Sequence, residues 1–395
     1  MKAVVVGSMN CMPTEYAILL KRYCSEVVHY YDADEQDTLN NPVIRWGVGS
    51  SARTYGLCIK KLRLHHHLSY LFPRLLHFGL LAEMKSADVI LLSGPNISLA
   101  RLLEKTGKKI VALSYGNDIS LYCNPDWPEM ALAEVRGVKR IVMPLLRWLK
   151  SAFVKLQIAG LNSCTHYSYF IPGVDLETDA LLDRILVGKH KPTRLPRYSI
   201  NIDNLERDEF EDQLPHFVDI YRIVFPVRFS EGNELLGNKG WRLLFDGLKE
   251  YKTVAGKRFK CVCFRKGNFL AAMDYAKMLG IDDVIEWHDT VAFDTIIQYY
   301  RSADVVIEQL GSHWIGQGLY AMALGKPVIG RCSTEKQTGF FKESGLLFAE
   351  DVAALVGHLV RCEDKGVCEK IGKQSREFVR TKAAIEAEFL QWGIL

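Results

Sequence analysis

The sequence predicts an α/β protein made of two doubly wound parallel sheets, and three observations carry that expectation. Short, unbroken apolar runs rich in Val and Ile alternate with longer stretches of helical spacing, the pattern of parallel strands covered by helices on both faces. The 395 residues exceed one core at roughly 100–200 residues per domain. The alternation is interrupted once, from 186 to 215, where the chain turns polar and carries Pro192, Pro196 and Pro215, as a segment between domains does.

In the first series, Val4 to Val6 reads as a buried strand ending at Gly7-Ser8, followed by a helix from Tyr16 to Tyr23. Val27 to Tyr31, Val89 to Leu92, Ile110 to Leu113 and Thr165 to Phe170 read as further strands, with a helix from Ser98 to Thr106 among the connections. The second series places strands at Ile223 to Phe225, Lys260 to Phe264, Val284 to Trp287, Val305 to Ile307 and Pro327 to Ile329. Helices are expected at Trp241 to Tyr251, Phe269 to Leu279, Phe293 to Arg301, Gly318 to Leu324 and Val352 to Arg361, and a last one from Cys368 to Trp392. The expected domains are 1–205, 206–375 and a final helix, 376–395, crossing back to pack on the first. Two such sheets facing one another place a ligand cleft between their strand C-terminal ends.

At 48% apolar and 24% charged residues, the composition is that of a folded globular chain and excludes a disordered or collagen-like one. Ten scattered cysteines without a C-x-x-C, and an N-terminus that enters a strand at once, point to a reducing, cytoplasmic setting. No metal or other cofactor is expected, and no apolar run is long enough to span a bilayer.

Charge is uneven. Residues 1–205 carry a net +7 and residues 206–395 a net −3. Two acid-free stretches concentrate the cations: 59–82 holds Lys60, Lys61, Arg63 and Arg74, and 136–155 holds Arg136, Lys139, Arg140, Arg147, Lys150 and Lys155. Both also carry large apolar residues, so each reads as a cationic amphipathic helix suited to an anionic membrane surface, at the inner face of the membrane. The alternative is an ordinary core helix with a solvated charged face. Nucleic acid is not an expected partner.

The most informative stretch is Ala303-Asp304-Val305-Val306-Ile307-Glu308-Gln309-Leu310, followed by Gly316-Gln317-Gly318-Leu319-Tyr320-Ala321-Met322-Ala323-Leu324-Gly325-Lys326-Pro327-Val328-Ile329. It reads as a strand, a glycine-bearing loop, a helix start, a tight turn and a second strand; amides at such a helix start suit an anion such as a diphosphate. It resembles the donor-binding domain of GT-B fold glycosyltransferases, specifically the retaining family 4 type (glycosyltransferase group 1), whose domains are Rossmann-like. Val227-Arg228, then Asn238-Lys239-Gly240 before a helix, and Gly345-Leu346-Leu347-Phe348 extend the likeness from about Tyr221 to Trp392. More weakly, Ser114-Tyr115-Gly116-Asn117-Asp118 resembles the family's H-G-x-D loop, and 200–205 its segment ending the first domain.

The resemblance implies transfer of a sugar, with retention, from a nucleotide-diphosphate-sugar donor to a glycan acceptor. The basic stretches suggest that this acceptor is lipid-linked or at a membrane surface, in polysaccharide or glycolipid biosynthesis. Arg228 and Lys239 would stabilise the departing diphosphate, and Glu308 would accept hydrogen bonds from donor hydroxyls. Gly7, Ser8, Gly311, Ser312, His313, Gly316, Gly318 and Tyr320 would line the donor side, and Tyr115, Asn117 and Asp118 the acceptor side. Two positions depart from the pattern: Tyr320 stands where the family has a ribose-binding glutamate, and Tyr115 where it has a histidine. A phenol cannot hold a vicinal diol as a carboxylate does. A nucleotide-sugar epimerase or hydrolase, and a non-catalytic sugar-binding descendant, are the alternatives.

Other motifs weigh less. Asp32-Ala33-Asp34 has the form of a D-x-D metal motif but reads as a solvated acidic loop, and consecutive His65, His66 and His67 point too far apart on a helix to share a metal. Gly7-Ser8 lacks the rest of a dinucleotide fingerprint and suggests instead close approach of backbone to a ligand. Gly47-x-Gly49-Ser50-Ser51 reads as a turn.

Overall fold

A computed structural model describes residues 1–33, 41–42, 56–62, 67–114, 117–133, 142–173, 175–187, 191–196, 200–202, 205, 220–230, 238–291, 293–311, 316–331 and 339–394. The chain divides into two compact units, Met1–Arg197 with Glu388–Leu395, and Tyr198–Ala387.

The first unit is built on a seven-stranded sheet of β1 (Lys2–Val6), β2 (Glu26–Tyr31), β3 (Cys58–Lys61), β4 (Val89–Leu92), β5 (Lys109–Leu113), β6 (His166–Tyr169) and β7 (Thr193–Pro196). Every pairing is parallel, in the order β3-β2-β1-β4-β5-β6-β7. Val4 sits beside Val28 on one side and Ile90 on the other, and successive residues from Ala3 to Val6 and through β4 are all buried, which is why these runs are apolar on both faces. Helices α1 (Met12–Leu20), α2 (Phe78–Ser86), α3 (Met143–Asn162) and α4 (Leu176–Ile185) cover the sheet. The C-terminal residues Glu388–Leu395 close this unit: Trp392 stacks on Tyr16 at 5.7 Å, and the Tyr16 hydroxyl donates to Glu388 Oε2 at 2.6 Å.

The second unit carries a six-stranded parallel sheet in the order β10-β9-β8-β11-β12-β13. Its strands are β8 (Tyr221–Phe225), β9 (Phe259–Phe264), β10 (Ile285–His288), β11 (Val305–Ile307), β12 (Val328–Gly330) and β13 (Leu347–Phe348). Helices α5 (Trp241–Val254), α6 (Phe269–Leu279), α7 (Phe293–Ser302), α8 (Gln317–Ala323), α9 (Val352–Arg361), α10 (Lys365–Phe378) and α11 (Ile385–Gln391) follow in order. Trp241, Leu244, Phe245, Leu248 and Tyr251 on α5 are buried, the spacing of an amphipathic helix.

Local structure departs from the sequence expectations at five places. The stretch 59–82 is not one helix. Its start is the edge strand β3, where Lys60 pairs with Glu83 at 2.9 Å; a 3-10 turn (His67–Leu71), a short helix (Pro73–Leu76) and the start of α2 lie further on, and 63–66, with Arg63, lie outside the described residues. The segment Ser98 to Thr106 is 3-10 rather than α, within Gly94–Leu102 and Glu104–Thr106. Gln157 on α3 meets backbone groups at its start, accepting from Ser98 N at 3.1 Å and donating to Gly94 O at 2.8 Å. Within the polar 186–215 segment lies β7, fixed by Arg194, which donates to Phe170 O at 2.9 Å and pairs with Asp179 at 2.6 Å. The Gly-Leu-Leu turn continues as the short edge strand β13, paired to β12. The last helical stretch breaks at a π-helical turn, Val379–Ala383, after which Ala384 is extended and bridges Ile200. No helix among the described residues is long and apolar enough to cross a membrane.

Candidate functional site

In the second sheet the chain runs β8, β9, β10 to one edge and β11, β12, β13 to the other, so its order reverses between β8 and β11. Parallel sheets bind ligands outside the strand C-termini at such a reversal. The segments that follow β8 and β11 are Val227-Arg228-Phe229, Asn238-Lys239-Gly240 and Glu308 to Gly318, the stretches singled out by their sequence.

The first is clamped from two sides. Phe229 is buried against Trp287 and Trp241, with ring centroids 5.2 and 6.0 Å away. Its N–H donates to Lys266 O at 3.0 Å, and its carbonyl accepts from Asn268 N at 2.8 Å. Gly267 adopts φ +76°, and a Cβ there would overlap the Phe229 carbonyl. Arg228, half-buried, is thereby brought near Lys266 on the turn after β9.

The second is interlocked with the third. Leu310 N donates to Lys239 O at 3.1 Å, and Asn238 Oδ1 accepts from Gly240 N at 2.8 Å. Gly240 has φ +72°, and a Cβ on it would overlap the backbone of Leu310 and Gly311. Any side chain at Gly311 would collide with the Asn238 carbonyl and Gly240 N. This contact positions Lys239, whose Nζ donates to Gln309 Oε1 at 2.7 Å.

Burial, and after it the Arg228 charge, lower the Lys239 pKa below the ordinary lysine value, with Glu308 opposing weakly. Partial desolvation and then the same arginine lower that of Lys266. Arg228 thus acts on both lysines from the segment after β8, an unfavourable pairing of like charges that an anion beside it relieves.

Glu308 is 0% exposed. Its Oε2 accepts from Gly318 N and its Oε1 from Gln309 N at 3.1 Å, with the Gln317 amide also acting on it. Burial raises its pKa despite these bonds. The carboxylate therefore occupies amides at the start of α8 that the sequence offered to a diphosphate. Tyr320 is buried on α8, edge-on to Phe293 at 4.8 Å. Tyr300 donates to Gln317 Oε1 at 2.9 Å and feels the charge of Glu308. Ser312 and His313 lie outside the described residues.

In the first unit, Gly7 has φ +124°, and a Cβ there would overlap Ser93 Oγ. The close approach it permits is therefore between β1 and β4, on either side of that sheet's own reversal. Ser8 donates its hydroxyl to Asp32 Oδ1, and Asn96 Nδ2 donates to Asp32 Oδ2 at 3.3 Å. Asn96 also accepts from the Tyr70 hydroxyl at 2.6 Å. Asp32 is half-buried and held by these bonds, rather than solvated as its acidic surroundings suggest. Asp118, fully buried, acts electrostatically on Tyr122 and Cys123; Asn117 opens the short helix Asn117–Ser120. Tyr115, Asp34, His65, His66 and the 47–51 segment lie outside the described residues. Among the described residues no group of three or more His, Cys, Asp or Glu is gathered as a metal requires.

Gln309 and Lys266 were not singled out from sequence. Gln309 directly follows Glu308, and Lys266 begins a Lys-Gly-Asn turn after a strand, a signal that only gains meaning once β9 lies beside β8.

The sequence matches no protein-family model and has no match among curated proteins. Solved structures share the fold over whole chains. A sucrose-phosphate synthase from Thermosynechococcus elongatus is 14% identical, with TM-score 0.61, covering 100% of this chain and 98% of its own. HepE from Anabaena in complex with UDP-glucose is 12% identical, with TM-score 0.60 and the same coverages. A putative UDP-N-acetylglucosamine 2-epimerase from Listeria monocytogenes is 13% identical, with TM-score 0.51, over 99% and 97% of the two chains. The two parallel sheets, their strand orders and these likenesses give the chain the GT-B fold.

Proposed function

We propose that the protein is a glycosyltransferase that takes its sugar from a nucleoside-diphosphate-sugar donor bound outside the β8–β11 reversal of the second unit. The observation that carries this reading is the interlock of the segments after β8, β9 and β11, Leu310 on Lys239 and Phe229 on Lys266 and Asn268, which carries Arg228, Lys239 and Lys266 to that end of the sheet, where Arg228 lowers the pKa of both lysines. When a sugar leaves its diphosphate, negative charge builds on the leaving oxygens, and fixed cations stabilise it without reorganising. Arg228 and Lys239 serve that charge. Glu308 acts as a positioning residue that ties the start of α8 to the end of β11, and Tyr320 packs on Phe293. The complex of HepE with UDP-glucose shows that the fold accommodates such a donor in another protein.

Transfer with retention, to a lipid-linked glycan acceptor in polysaccharide or glycolipid synthesis at the cytoplasmic membrane face, is the finer form of this reading. It rests on the sequence resemblance and on the basic, acid-free stretches of the first half. No protein nucleophile is assigned. Asn117 and Asp118, with Tyr115, remain assigned to the acceptor side, and Gly7 and Ser8 to the donor side.

Sugar-nucleotide epimerisation or hydrolysis is the second reading, favoured by the likeness to the Listeria putative epimerase and by the held carboxylate of Asp32. The test is thermal-shift screening against UDP, GDP, ADP, CDP and CMP with their sugar conjugates, where a ligand at 100 times its Kd stabilises by about 2.7 kcal/mol. One nucleotide should shift the melt. No shift with any would refute the donor site. Release of free nucleoside diphosphate only when a glycan acceptor is added separates transfer from the second reading.

A further inference from the structure

The first unit exposes large apolar side chains in two places. On the turn leading into α2, Phe72 is 64%, Leu75 75% and Phe78 74% exposed; on the first half of α3, Leu145 is 56% and Trp148 64% exposed. The two places are linked through the interior. The His67–Leu71 turn packs on both α3 and the Gly94–Leu102 turn, and Tyr70 meets Phe153 at 6.5 Å. The later half of α3 is core, with Phe153, Val154, Gln157, Gly160 and Leu161 buried. Its first half carries apolar residues outward instead.

The charge around these residues has one sign over long stretches. There is no Asp or Glu from 67 to 82 or from 142 to 173. Arg74 lies between Phe72 and Leu75. Lys150 sits over the Trp127 ring at 4.3 Å, and Arg147 pairs with Glu129 at 2.7 Å. Beside the turn, Arg101 has a buried Nε with no hydrogen-bond partner among the described residues. Burial and then the nearby Arg74 charge lower its pKa.

We propose that Phe72, Leu75, Phe78, Leu145 and Trp148 form a surface that inserts into an anionic lipid bilayer, with Arg74 meeting the lipid phosphates. A second copy of this chain is a poorer occupant, since a two-fold contact through this patch sets Arg74, Arg147 and Lys150 against like charges. A bilayer supplies both the apolar layer and the anions. The residues differ from those marked by charge alone: Lys60 is taken by Glu83 in the sheet, and the contact is made by exposed aromatic and leucine side chains. The inference deepens the membrane-face part of the proposed function and rests on that reading, and it does not need the donor site.

The experiment is flotation of the full-length protein with vesicles of phosphatidylcholine alone and of equimolar phosphatidylcholine and phosphatidylglycerol. Binding should be confined to the anionic vesicles and weaken as salt rises. The triple variant Phe72→Ser, Leu75→Ser, Phe78→Ser should bind at least about 10-fold more weakly. Arg74→Gln should lose about 5-fold on anionic vesicles, the effect of one basic residue near the surface. Should the triple variant melt early, the single Phe78→Ser is used in its place, and a vesicle-induced blue shift of tryptophan emission, lost in Trp148→Phe, gives an independent reading. Equal binding to neutral vesicles, undiminished binding by these variants, or concentration-dependent dimerisation abolished by them would overturn the proposal. A nucleotide melting shift on the same samples keeps the donor reading separately testable.

Discussion

Replacing Lys239 by Met removes one of the three cations outside the β8–β11 reversal while keeping the length of the side chain. In the unliganded protein that ammonium is partly desolvated and repelled by Arg228, against which it gains one hydrogen bond, to Gln309 at 2.7 Å. These contributions oppose one another, so unliganded stability should change by no more than about 1 kcal/mol. With a diphosphate present the balance differs, because a charge-assisted hydrogen bond of about 1.5–3 kcal/mol is lost. The nucleotide identified by thermal shift should then bind about 10- to 100-fold more weakly. Calorimetric titration gives the Kd and urea unfolding the stability. The pH dependence carries the same sign logic. A lowered lysine pKa means that the unfolded chain holds more protons just below the ordinary lysine range, so Lys239 makes unliganded stability rise with pH there. Nucleotide affinity should fall over the same window as the ammonium discharges, and Lys239→Met should lose that dependence. An unchanged Kd, or losses of stability and affinity that match, would refute the assignment of Lys239 to an anion.

Arg228→Ala should lower turnover by about 100-fold, the scale for one charge contact in the transition state, as read by release of the nucleoside diphosphate. Burial raises the folded-state pKa of Glu308, so wild-type stability should fall as pH rises from the unfolded carboxylate value through the folded one; Glu308→Gln, which cannot ionise, should lose that dependence in urea unfolding, while forfeiting one of the two acceptor oxygens that now take the Gln309 and Gly318 N–H groups. His29 is buried, its Nδ1 on Val5 O and its Nε2 on Thr14 Oγ1, and burial pushes its pKa down to about 4. The unfolded chain therefore holds the extra proton between about pH 6.5 and 4, and unfolding curves should show about 3 kcal/mol lost on acidification through that window, largely absent in His29→Gln. Gly7→Ala should destabilise by about 3 kcal/mol, because the new methyl group meets Ser93 at a left-handed φ of +124°.

Much of the second unit was legible from residues alone. Its strands are buried on both faces, so Ile223 to Phe225 and Val305 to Ile307 appear as unbroken apolar runs, and α6 and α9 run between the same residues in sequence and structure. The order of Val227-Arg228, Asn238-Lys239-Gly240 and Glu308 to Gly318 also marked the candidate site, since a glycine at a tight backbone contact such as Gly240 is a local demand. The edges were harder. β3 and β13 are short strands paired on one side only, so they lack the doubly buried signal, and β7 hides in a Pro-containing polar segment because its Arg194 is neutralised by Asp179. The last helical stretch read as continuous because nothing in its composition announces the π-helical turn; Ala384 is drawn into an extended bridge by Ile200.

Sequence by itself determined the fold class, the two series of strands and the identity of the charged residues near the second reversal, because periodicity and glycine placement are local demands that a chain meets residue by residue. Tertiary structure decided how those residues are used. Glu308 turns inward onto the amides of Gln309 and Gly318, Gln309 becomes the partner of Lys239, and Lys266 joins Arg228 only because β9 lies next to β8. Likewise Lys60 is spent on Glu83 while Phe72, Leu75 and Phe78 are left outside. A side chain's burial, its neighbours and its protonation depend on contacts between segments far apart in the chain, and no local pattern encodes them.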